Sequence, residues 1–77
     1  MTKQDFLMHF EDLVEAQPLS LTGKEHLNQI DNWDSLTLLG FIALVDEQFA
    51  ITLPPDAIGT CQQLDDLITL IGNNIEN

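Results

Sequence analysis

The chain has no arginine and no tyrosine, and among its 77 residues are only two lysines, one cysteine and one tryptophan. Each scarcity argues against a class of function. Nucleic-acid binding draws on clustered lysine and arginine, and here Lys3 and Lys24 stand alone against thirteen Asp and Glu, for a net charge of −11. Neither nucleic acid nor an anionic membrane surface is therefore an expected partner. The lone Cys61 has no second cysteine to pair with, which points to a reducing compartment. No apolar run approaches the length of a membrane span. The first residues, Met-Thr-Lys-Gln-Asp, carry charge where a signal peptide needs an apolar core, so a cytoplasmic location is expected. The partner of so acidic a surface is expected to be a basic patch on another protein.

What is present fits one small globular domain, residues 1–77, with 44% hydrophobic residues. Phe6, Phe10, Leu13 and Val14 recur at helical spacing and predict a first helix from Lys3 to about Ala16. Thr2 is its cap, with Asp5 in a shortened capping box, and Glu11, Asp12 and Glu15 are assigned to its outer face. Pro18 removes Gln17 from helical geometry. Residues 17–34 form a long connection whose Leu19, Leu21, Leu27, Ile30 and Trp33 predict a loop packed onto the domain. A second helix is predicted from Ser35 to Phe49, with a main stripe of Leu38, Phe41, Ile42, Val45 and Phe49. Its second stripe, Leu36, Leu39 and Ala43, is in part exposed, because a short chain has few elements to cover it. Asp56-Ala57-Ile58 makes a short turn closed by Gly59. Thr60 and Gln63 are read as the capping box of a last helix carrying Leu64, Leu67, Ile68, Ile71 and Ile75. Gly72, Asn73 and Asn74 weaken its end. The fold class is all-α: a small antiparallel bundle of three long helices and one short helix, with a long first loop.

No catalytic set emerges. His9 and His26 read as surface residues without a nucleophile beside them. Asp31 and Asp34 lack the alternation and central glycine of a calcium loop, so no metal site is assigned. The informative segment is Asp34-Ser35-Leu36, where the long loop enters an apolar helix. First-turn amides are unpaired and sit at the positive end of the helix dipole, a place that suits a phosphate. From these three residues alone, Asp34 or Ser35 is equally an ordinary helix cap.

The wider pattern adds a resemblance. Asp34-Ser35-Leu36, the apolar helix after it, Asp46-Glu47, Phe49, Ile51, Pro54, Thr60 and Leu64 together resemble the acyl carrier protein family over residues 30 to 71. The resemblance implies a free-standing carrier of the four-helix acyl-carrier kind. A phosphopantetheinyl transferase attaches a phosphopantetheine arm to Ser35, beside Asp34, and the arm's thiol holds acyl groups as thioesters. The protein is then no enzyme but a substrate of acyl-loading and acyl-modifying enzymes, and it acts as a monomer. Leu36, Leu39 and Ala43 match positions that touch partner enzymes, and Asp46 and Glu47 match positions that meet their basic patches. Thr37 and Gly40 stand where fatty-acid-synthase carriers bear further acids, and Asn32 replaces a customary glycine while tolerating left-handed backbone. These departures point to a specialised fatty-acid, polyketide or lipid-glycan pathway. An aminoacyl or peptidyl carrier shares the serine and the arm. An acidic interaction module that is never modified is a rival of another class, and a reactive Cys61 in the first turn of the last helix is a third.

Overall fold

In the computed structural model, which describes residues 1–76 apart from the side chain of Asn73, helices follow one another as α1 (Lys3–Leu13), α2 (Ser35–Phe49), α3 (Pro55–Gly59) and α4 (Leu64–Ile71). Single 3₁₀ turns occupy Leu27–Gln29 and Gly72–Asn74. Asn77, the last residue of the expected domain, lies outside the described residues. Among those residues there is no strand, only two isolated bridges, Thr2 with Glu76 and His26 with Gln63. The chain is a small all-α bundle about one core, 26 × 25 × 19 Å in extent.

The apolar spacing of the helices explains that core. Phe6 and Phe10 of α1, Phe41 and Val45 of α2, Ile58 of α3, and Leu64, Leu67 and Ile71 of α4 are all buried. Trp33, at the end of the long loop, reaches in and lies 5.4 Å from the Phe10 ring and 5.8 Å from the Phe41 ring, centroid to centroid. Its packing on Phe41 is edge-on, as is that of Phe6 and Phe10 on the same ring, an arrangement that aromatic quadrupoles favour. Trp33 thus pins the loop end immediately before Asp34. Gly40 lets α1 come close, since a Cβ there would stand 3.1 Å from Leu13 Cδ1.

Four expectations need correction. First, α1 stops at Leu13, three residues before Ala16. Glu15 adopts left-handed backbone at φ 59°, its N–H bonds Asp12 O, and the Ala16 N–H bonds Glu11 O at 2.8 Å. This is a Schellman close with glutamate in the place usually held by glycine. Second, Glu11 is not on the outer face but buried at 2% exposure. Its two carboxylate oxygens accept the N–H groups of Leu19 and Leu21 at 3.1 and 2.9 Å. A loop lying on the domain still has to satisfy its backbone donors, and Glu11 does so. Third, Thr60 closes α3 and does not open α4. Its hydroxyl donates to Ala57 O, and α4 begins at the next box along, with Gln63 as cap and Asp66 as reciprocating acid. Cys61 accordingly precedes α4. Fourth, α4 ends at Ile71, short of the Ile75 assigned to it, yet the C-terminal end is tied down. Ile75 is buried, the Lys3 N–H donates to Glu76 O at 2.7 Å, and the Glu76 N–H donates to Met1 O at 2.8 Å.

Candidate functional site

The start of α2 is fixed from both sides. Asn32 adopts the left-handed conformation at φ 68°, and its side-chain N–H donates to Val14 O at 2.9 Å, tying the approach to α2 onto the end of α1. Next comes Trp33, held in the aromatic cluster. Asp34 then turns outward as the N-cap, in extended backbone, and its Oδ1 accepts the Thr37 N–H at 2.9 Å. That bond, with further help from the Thr37 hydroxyl, holds the Asp34 carboxyl below the usual carboxylate range.

Because Asp34 supplies the cap, Ser35 does not. Ser35 is the first helical residue and is exposed. Among the described residues, neither its hydroxyl nor its amide has a hydrogen-bond partner. Of the two residues able to cap, Asp34 does so, and the serine hydroxyl is uncommitted. The arrangement is an accessible primary hydroxyl at the positive end of a helix.

The remaining named residues lie along one side of α2. Leu36 is 78% exposed and Leu39 59% exposed, and Ala43, Asp46 and Glu47 are exposed as well. Spacings of three, four and three to four place them on a continuous stripe that is apolar beside Ser35 and acidic toward the other end. Phe41 and Val45 look inward from the opposite side. Surface grooves are lined by α1, the long loop and the α3–α4 connection.

The other candidates are dispersed. His9 and His26 are both exposed, one on α1 and one in the loop. Cys61 is half-buried, and its Sγ faces Ala57 O at 3.5 Å. Burial, and then the charge of Asp66, pushes its thiol pKa up, the opposite of what a reactive thiolate needs. Among the described residues no group of three or more His, Cys, Asp and Glu is placed to hold a metal ion, and no helix is long and apolar enough to cross a membrane.

Two supporting residues escaped the sequence reading. In sequence Asn32 signals only tolerance of left-handed backbone, whereas its side chain also anchors the end of α1. Glu11 was assigned outward, and only the unmet backbone donors of a packed loop could have signalled its role. Comparison of the chain with protein-family models, with curated proteins and with solved structures finds no match.

Proposed function

We propose that this chain is an acyl carrier protein, a carrier domain that bears a phosphopantetheine arm on Ser35 and presents acyl thioesters to partner enzymes. The single observation that carries the reading is the exposed Ser35 hydroxyl at the first position of α2, released from capping duty by Asp34. The order of a long helix, a long packed loop, a second long helix, a short helix and a last helix is consistent with the acyl-carrier arrangement.

In the loading step the Ser35 oxygen bonds to the phosphorus that carries pantetheine in coenzyme A. The bond from that phosphorus to the nucleotide side breaks, adenosine 3′,5′-bisphosphate leaves, and the serine proton passes to a base on the transferase. The product is a phosphodiester whose negative charge lies at the α2 N-terminus, where the dipole favours it. The arm supplies a thiol that forms the thioester. The chain's own part is to hold the attachment point rigidly, through Trp33 and Asn32, so that a tethered intermediate is delivered at high effective concentration. Leu36, Leu39 and Ala43 give partner enzymes, the transferase included, an apolar strip beside the serine, and Asp46 and Glu47 meet their basic patches. A specialised acyl pathway, polyketide or lipid-glycan in kind, fits the neutral Thr37 and Gly40 in the first half of α2.

The test is the intact mass of the protein after incubation with coenzyme A and a broad-specificity phosphopantetheinyl transferase. Wild type gains one phosphopantetheine and Ser35→Ala gains none. A wild-type protein unchanged by several such transferases would overturn the proposal and favour an unmodified acidic interaction module.

A further inference from the structure

A second surface, away from α2, exposes a large apolar side chain on left-handed backbone. Leu19 is 71% exposed, yet its backbone is held in the left-handed region at φ 65°. That conformation is strained for a leucine and would be relaxed for a glycine. The buried Glu11 carboxylate maintains it through the Leu19 N–H at 3.1 Å and the Leu21 N–H at 2.9 Å. A buried charge and a strained backbone together present a large apolar side chain to solvent, and such investments gather at functional positions.

Beside Leu19 stands Met8, 52% exposed, on the outer side of α1. Met8 lines two adjoining grooves of about 540 and 550 Å³. One it shares with Leu7, Leu19 and Leu21, the other with Ala16, Pro18, Asp5 and Asp12. Met8 and Leu19 form an apolar ridge with Asp5 and Asp12 on the Met8 side, while Lys3 lines the Leu19 side. Of the cations nearby, the Lys3 ammonium is engaged by Asp65 at 3.0 Å, and the terminal ammonium of Met1 lies 3.5 Å from Asn74 O. His9 lines the same groove as Asp5 and Asp12.

The geometry points to a docking surface formed by Met8 and Leu19 for a segment of a partner protein that carries an aliphatic or aromatic anchor flanked by lysine or arginine. The acidic rim selects the basic flanks, and the flexible thioether of Met8 adapts to the anchor. A second copy of this chain is disfavoured, since each carries a net charge of −11. The surface does not depend on the arm at Ser35, so its test uses the unmodified protein.

The probe is a short amidated helical peptide with leucine on one face and lysine on the other, titrated into isotope-labelled protein and followed by amide chemical shifts. The expected shifts centre on residues around Met8 and Leu19, and added salt weakens binding. Leu19→Gly and Met8→Ala each raise the Kd about tenfold or more. Leu19→Gly also raises the Tm, because glycine relaxes the left-handed backbone, so its loss of binding is not a loss of fold. No binding, shifts confined to α2, or an unchanged Kd in both variants overturns the proposal. So does a concentration-dependent dimer that Leu19→Gly abolishes, which would assign the face to a second copy.

Discussion

Helix α2 begins under an aspartate and α4 under a glutamine, and they treat the amides of their first turns in opposite ways. At α4 the amides are consumed. The Leu64 N–H donates to Glu25 O at 3.0 Å and the Asp65 N–H to Gly23 O at 2.7 Å, while Gln63 and Asp66 complete a reciprocal capping box. The long loop is thereby joined to the last helix. Gly23 makes the join possible, since at φ 106° it takes a conformation glycine favours, and a Cβ there would collide with Asp65 Oδ1. At α2 the cap takes the Thr37 amide and leaves Ser35 open to solvent. One helix start is a structural joint, and the other is held in place but left available. A helix end that the fold does not use is where a ligand or a modification can be placed without disturbing the fold.

The comparison is open to direct attack by mutation, and the expected losses of stability descend from the joint to the open end. Gly23→Ala should cost the most, about 1–2 kcal/mol by urea denaturation, because the left-handed backbone is strained for alanine and the Asp65 carboxylate must leave Lys3 to make room. A smaller loss would mean that the loop shifts freely on α4. Asp66→Ala comes next. Its Oδ2 accepts the N–H groups of Gln62 and Gln63, both at 3.0 Å, and the Tm should fall by several degrees.

Those bonds also set a pH dependence. The backbone N–H of Gln63, then that of Gln62, and finally the charge of His26 hold the Asp66 carboxyl below its ordinary 3.8 against a smaller opposing effect of desolvation. A carboxyl with a depressed folded pKa stabilises fully above its unfolded value and loses that contribution as the pH falls through the folded value. The Tm of wild type should therefore decline below about pH 4, and that of Asp66→Ala less steeply, in melts recorded from pH 5 downward. Equal slopes would deny Asp66 its role.

Asp34→Ala removes a single amide acceptor and should lower the Tm by a few degrees, less than Asp66→Ala. Ser35→Ala should be the smallest, within about 0.5 kcal/mol of wild type. A marked loss there would show that the hydroxyl serves the fold after all.

Much of the molecule could be read before its structure. Ser35–Phe49 was expected as a helix and is one, because an aspartate cap precedes a long apolar repeat and Ala50 ends it in left-handed backbone. The exposure of Leu36 and Leu39 followed from counting: too few elements existed to cover both stripes. What was missed depended on tertiary partners or on competing local signals. Thr60–Gln63 and Gln63–Asp66 offer the same spacing of cap and partner, and only the backbone join with Glu25 and Gly23 decides for the second. The end of α1 carries no glycine, so the left-handed Glu15 gave no signal in the sequence. Glu11 looks like any exposed glutamate until the loop folds over it. The openness of Ser35 belonged to this class too, since either Asp34 or Ser35 was competent to cap.

The most direct test of the account is peptide mapping of the protein after treatment with coenzyme A and a phosphopantetheinyl transferase. The account predicts a single phosphopantetheine, carried by the peptide that contains Ser35 and on that residue alone. An unmodified Ser35 peptide, or a group found on any other residue, would contradict it.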